Sequence, residues 1–157
     1  IRQWLLPFSE FEFHVYCDID QPEDDGHILW RPLSREAFRR AQACCEGVIA
    51  NSGFGLSSEV LQAGKKLLTK PLSGQPEQVS NAAVLQHLGL AEVFSELQAE
   101  QFYRWVQQPS PEPVVYPDVA AALAGWIHDG RAQTPTELAQ ALWQERLFDQ
   151  LEPQALS

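Results

Sequence analysis

Two rhythms of apolar and polar residues alternate along this chain. Compact apolar runs at 11–17 (FEFHVYC), 27–33, 48–51 and 67–70 read as strands buried in a sheet. Helical spacing follows at 35–45, 56–63, 76–88 and 100–107, with a short strand expected around 90–93. Ser34 is a good N-cap for the first of these helices, with Glu36 in its first turn and Ala37, Phe38, Ala41 and Cys44 as its apolar stripe. An acidic loop, 18–26, joins the first two strands. From 48 to 88 the order is strand, glycine turn, helix, strand, polar turn, helix, which is a parallel βαβα unit. The predicted fold class is therefore α/β, a Rossmann-like parallel sheet with helices on both faces.

The pattern changes after 108. Pro109-Ser110-Pro111-Glu112-Pro113 reads as an extended connector, taken here as 109–117. Two helices follow, at 118–128 and 136–151, the second supplied with cap chemistry by Thr134-Pro135-Thr136-Glu137. The predicted organisation is a Rossmann-like domain at 1–108, the connector, and C-terminal helices at 118–157 that pack on the domain or brace it.

In an open parallel sheet the helix N-termini gather at the carboxyl edge of the strands, where ligands bind. Two such starts fall at Gly53-Phe54-Gly55-Leu56 and at Gly74-Gln75-Pro76-Glu77-Gln78. Glycine lets a backbone approach an anion closely, and a helix start offers unpaired N–H groups with a partial positive charge. These features predict binding of a phosphorylated, polar small molecule. A plainer reading makes Gly53-Phe54-Gly55 a strand-to-helix turn that needs glycine for positive φ. Glu59 and Glu77 also fit as acidic residues favoured near helix starts, and Trp30 fits as a core aromatic.

The spacing supports a more specific reading. Gly53 precedes Glu59 by six residues, Gly64 precedes the next strand, and Glu77-Gln78 stand just before Asn81-Ala82. Trp30-Arg31-Pro32 lies twenty-one residues before Asn51, counted from Trp30. Over about residues 12–108 this set resembles the donor-binding signature of glycosyltransferases with the glycosyltransferase-B fold, especially bacterial enzymes that use UDP-N-acetylglucosamine or similar donors.

The resemblance implies the donor half, C-terminal in that family, of an inverting, metal-independent sugar transferase that uses no cofactor. Its partner molecules would be a nucleoside diphosphate sugar, a UDP-sugar by preference, and an unidentified acceptor. It places Trp30, Arg31, Leu33, Asn51, Ser52, Gly53, Phe54, Gly55, Leu56 and Glu59 around the nucleotide and diphosphate. Glu59 would accept from both ribose hydroxyls, since two carboxylate oxygens suit a vicinal diol. Glu77, Gln78 and Asn81 would meet the donor sugar or support its turn. Three departures stand out: Leu33 where plant-type relatives have glutamine, Asn51 where some have histidine, and Lys66 where proline is common. The catalytic base would belong to an N-terminal acceptor domain, on the same or a separate chain. His14, His27, His87 and His128 all lie outside the signature. Two other readings remain open on this pattern: a sugar-nucleotide epimerase of the same fold, and a donor-binding subunit of a split transferase or a non-catalytic module.

Composition narrows the partners. The 157 residues are 45% apolar and 10% aromatic, enough for one domain with a real core. A net charge of −10 argues against nucleic acid, whose phosphates need basic patches. An anionic nucleotide must then be held by local donors against the global field. Cys17, Cys44 and Cys45, an odd set without CxxC spacing, fit reduced thiols acting as small buried hydrophobes. They also suggest a cytoplasmic protein, which the resemblance would place in part at the inner membrane face, through the N-terminal half. No apolar run approaches a membrane span, and methionine is absent. The expectation is a fragment that begins after its domain's first strand and is inactive in transfer by itself.

Overall fold

The computed structural model describes residues 1–96 and 98–143. Its elements run α1 (Arg2–Leu5), β1 (Phe13–Cys17), β2 (Glu23–Asp25), β3 (Ile28–Pro32), α2 (Arg35–Cys44), β4 (Gly47–Asn51), α3 (Phe54–Gln62) and β5 (Lys66–Lys70). After these come α4 (Pro76–His87), β6 (Glu92–Val93), α5 (Ala99–Gln107), α6 (Val119–His128) and α7 (Pro135–Trp143). The chain is α/β and Rossmann-like, as the periodicity predicts. Its strands form two three-stranded ladders, β1-β3-β2 and β4-β5-β6, in place of one continuous sheet. All pairings are parallel except β2 with β3.

Strand alternation sends successive residues to opposite faces, and two core clusters follow from it. Ile49 of β4 and Leu68 of β5 join Phe8, Phe94, Phe102 and Trp105 on one face, where Phe13 of β1 also packs. Val48 and Leu67, one position earlier, pack with Val60 of α3 on the other, together with Phe38 and Leu85. Helices thus cover both faces, α5 and the N-terminal segment on one, α2, α3 and α4 on the other.

Three elements differ from the sequence reading. The acidic loop contains a strand, β2, because Gly26 turns the chain at φ +63° and lets Glu23–Asp25 fold back antiparallel on β3. Arg2 and Arg31 offset its charge through contacts to Glu23, Asp25 and Asp24. The first twelve residues are also ordered: α1 leads to Phe8, which is 1% exposed in the aromatic cluster. On α2 the expected stripe rotates, since Gln42 is buried while Cys44 is exposed. The reading of all three cysteines as buried therefore fails at Cys44, and Cys17 and Cys45 are half-buried. Burial raises the Cys45 thiol above its ordinary pKa. Ser34 caps α2 as expected, accepting from the Ala37 N–H at 3.3 Å.

The connector is anchored. Val114 N–H donates to Leu61 O at 3.0 Å, and Pro113 rests on Gly64, where a φ of +63° and neighbours 3.0–3.2 Å from any Cβ favour glycine. Lys66 is buried and donates to Val106 O at 2.5 Å, holding the end of α5 against β5. Asp118 caps α6 through the Ala121 N–H, and Thr134 with Glu137 forms the capping box of α7. Those hydrogen bonds lower the Glu137 pKa. Neither helix has a buried residue; the two lie against one another, and Leu123, Trp126, Leu138 and Leu142 line an open apolar cleft between them. The remainder of the helix expected at 136–151 lies outside the described residues. No helix among the described residues is long and apolar enough to cross a membrane.

Candidate functional site

Parallel pairing of β4 with β5 brings the starts of α3 and α4 to one edge of the sheet. α3 begins at Phe54, two residues earlier than its apolar pattern suggests, so Gly53 is the N-cap and Gly55 lies in the first turn. Gly53 has φ −70°, and Gly55 is not among the positive-φ residues. A Cβ on either glycine would meet nothing within 4 Å. The turn therefore needs glycine neither for backbone conformation nor for internal packing. Gly53 has no side chain with which to cap, and the first helical bond runs from Ser57 N–H to Gly53 O. The N–H groups of Phe54, Gly55 and Leu56 precede that bond and have no intrahelical acceptor. Phe54 projects its ring outward at 70% exposure.

A buried polar network holds this turn in place. Ser52 is fully buried and its Oγ lies 3.0 Å from Thr69 Oγ1, which in turn donates to Ala50 O at 2.9 Å. Asn81 Nδ2 on α4 donates to Ser52 O at 3.1 Å. Ser52 and Asn81 thus clamp the β4–α3 turn to β5 and α4; Ser52 is closed off from solvent, while Asn81 is half-buried. Thr69 completes the network, and the sequence reading missed it. A threonine near the end of a buried strand, with a serine at the end of the preceding strand, was the available signal.

The remaining candidates divide by what already occupies them. Gln78 is committed to its own turn: Oε1 accepts from Leu72 N–H at 3.1 Å and Nε2 donates to Gln75 Oε1 at 2.7 Å. Its neighbour Glu77 is exposed at the start of α4. Asn51 is exposed at the end of β4. Glu59 looks across at α2, 3.9 Å from Arg39 Nε, over an open cleft of ≈ 240 Å³ that Gln42 and Gln62 also line. Leu56 turns inward onto the Val48 cluster.

The base-pocket candidates are less unified. Arg31 is drawn toward β2, donating to Asp24 Oδ1 at 2.5 Å and to Trp30 O at 2.9 Å. The Trp30 ring carries the Arg2 guanidinium at 5.0 Å, and its Nε1 is buried without an acceptor. Leu33 lies just beyond β3 at 69% exposure. His14 is exposed and bound to Glu12, while His27 contacts Leu5 O, so neither belongs to the glycine turn. Among the described residues no group of three His, Cys, Asp or Glu side chains could hold a metal ion.

The fold and the edge together define the class: a Rossmann-like α/β domain with two open helix starts at the carboxyl ends of its parallel strands. A family model described as glycosyl transferase family 1 matches residues 4–108, about two-thirds of the chain. The chain belongs to that family. The match ends where α5 ends, so the connector, α6 and α7 lie outside it. No curated protein and no solved structure gives a significant match.

Proposed function

We propose that this domain binds the nucleoside diphosphate sugar donor, a UDP-sugar by preference, of a metal-independent inverting glycosyltransferase. The observation that carries the reading is the uncapped start of α3, whose two glycines serve no need of the fold. Its free N–H groups would cradle the diphosphate and stabilise the charge that develops as the sugar departs. Glu59 would exchange its loose contact with Arg39 for the ribose hydroxyls. A second domain would bind the acceptor and supply the catalytic base, so this chain alone would bind the donor without transferring it.

Gly55→Ala tests the cradle with two opposite signs. An alanine in the first turn, with open space for its Cβ, should stabilise the fold by about 0.5 kcal/mol. The same methyl should stand where the diphosphate approaches and weaken UDP binding at least tenfold by calorimetry. Gained stability with unchanged UDP affinity would mean that Gly53-Phe54-Gly55 is only a turn.

The two helix starts should separate nucleotide from sugar. The diphosphate at 53–56 directs the sugar toward 76–78, where Glu77 is exposed while Gln78 shapes the turn. Glu77→Ala should therefore weaken UDP-N-acetylglucosamine about tenfold and leave UDP unchanged, in the range for one charged hydrogen bond. Gln78→Ala should act on the sugar nucleotide too, through a loosened 72–75 turn. Equal losses for UDP and the sugar nucleotide in both variants would remove the sugar assignment.

A further inference from the structure

The cleft between α2 and α3 lies beside the cluster that Phe38 and Val60 share, and its two walls repeat one pattern. Arg39, Gln42 and Ala43 of α2 face Glu59, Gln62 and Ala63 of α3 across it. Each set falls at i, i+3 and i+4, which is one face of a helix. Each helix thus brings a charged group, a carboxamide and a methyl. We propose that this cleft is a saccharide site, taking one neutral sugar unit of a glycan, separate from the sugar of the donor.

Gln42 carries the inference. It is 7% exposed, yet among the described residues its carboxamide is hydrogen-bonded to nothing, and what remains open of it lines the cleft. Burying a carboxamide unpaired is costly, and an apolar residue of similar length would avoid that cost. Packing therefore gives no reason for glutamine here. Phe38, one turn earlier on the inner face of α2, shows what that face takes when it only packs. A ligand entering the cleft meets an amide at its floor that has no other partner to give up.

The lining also selects the kind of ligand. Arg39 and Glu59, 3.9 Å apart, balance in charge, so neither an anion nor a cation is favoured. A guanidinium offers only donors, a carboxylate only acceptors, and each amide offers both. That mixture is met by neighbouring groups that both donate and accept, as the vicinal hydroxyls of a sugar do. No aromatic ring lines the walls, and the two alanines are the only apolar residues, so a nucleobase has nothing to stack on. The space of ≈ 240 Å³ is smaller than the roughly 300–1,000 Å³ of pockets for larger ligands, and it suits one sugar ring. Membership of a glycosyltransferase family makes carbohydrate a ligand at hand. The site does not rest on the donor reading. Glu59 serves it only as the counter-charge of Arg39, while Gln42 and Gln62 hold the sugar.

Nuclear magnetic resonance of the side-chain amides in the full chain tests the site directly. Glucose, galactose, mannose and N-acetylglucosamine are titrated in turn, with acetate and uridine as probes for an anion and a base. The expected result is a saturable shift of the Gln42 and Gln62 carboxamide signals with at least one sugar. Its Kd should be on the order of 1–10 mM, as a few exposed hydrogen bonds give. Gln42→Leu should abolish the shift at Gln62, leave affinity for UDP and UDP-N-acetylglucosamine unchanged, and keep or raise the urea midpoint. Ala43→Leu fills the cleft from an exposed helical position and should block the sugar as well. No saturable shift with any sugar, a stronger response to acetate or uridine, or sugar binding that survives in either folded variant would each overturn the site. So would weaker UDP-N-acetylglucosamine binding in Gln42→Leu with UDP unchanged, since the cleft would then belong to the donor's sugar. UDP is also titrated into the parent protein. Sugar binding without UDP binding would strike the donor reading and leave the cleft standing; UDP binding without sugar binding would do the reverse.

Discussion

Glu59→Gln should weaken UDP binding by roughly ten- to a hundredfold while the domain stays folded. The change keeps the shape and removes the charge, so it takes away the acceptor strength that a vicinal diol exploits. A hydrogen bond to a charged group contributes about 1.5–3 kcal/mol, and each 1.4 kcal/mol is tenfold in affinity. Stability should barely move, because the present partner is Arg39 at 3.9 Å and the two side chains are 41% and 59% exposed. Pairs of that kind contribute about 0–1 kcal/mol. Arg39→Ala is the matched control, since it breaks the same ion pair and leaves the carboxylate in place. It should keep most UDP affinity. Calorimetry on both variants, with circular dichroism to confirm folding, separates the roles. A folded Glu59→Gln protein that binds UDP as tightly as its parent would end the ribose assignment.

The largest effect on the fold is expected at Phe102. Its ring, 2% exposed, sits 4.4 Å from Phe8, 5.3 Å from Phe11, 5.6 Å from Trp4 and 5.8 Å from both Phe13 and Trp105, centroid to centroid. It therefore joins the N-terminal segment, β1 and α5 in one packing unit. Truncating a buried phenylalanine costs roughly 3–5 kcal/mol, from lost burial and from a cavity that rigid neighbours cannot fill. Against a domain stability of about 5–15 kcal/mol, Phe102→Ala should leave a marginal protein. Urea denaturation should show the midpoint collapsing, and protease cleavage within 1–12 should appear first. A loss under about 1 kcal/mol would mean that this cluster is not the one that holds the ladders together.

The position of the site explains how an acidic chain could take an anionic ligand. With a net charge of −10 no general field attracts a phosphate. Attraction must come from dipoles at short range, and the start of α3 provides them because Gly53 leaves it uncapped. The acidity of β2 is also paired. Asp24 lies against Arg31, while Glu23 and Asp25 lie against Arg2. Arg31 is thereby spent on β2, so the ligand's base would meet Trp30 and Leu33 with little charged help.

Much of the architecture follows from local sequence alone. The compact apolar runs at 11–17, 48–51 and 67–70 and the caps at Ser34 and Thr134 are nearest-neighbour effects, legible without any partner in space. So is the placing of glycines before α3 and α4, because a helix start is set by the few residues that flank it. Other features needed the tertiary fold. Gln42 is buried and Cys44 exposed because the neighbours of α2, not its composition, choose its inner face. β2 exists because β3 offers an edge to pair with. Ser52 holds the turn because β5 places Thr69 beside it, seventeen residues along the chain, and Asn81 because α4 brings it to the Ser52 carbonyl. Gln78 closes its own turn because the path of 72–75 brings Leu72 and Gln75 within its reach. Residue types and spacing can name the groups near a ligand. Which of them stay free to touch it depends on what else competes for their hydrogen bonds, and only packing decides that.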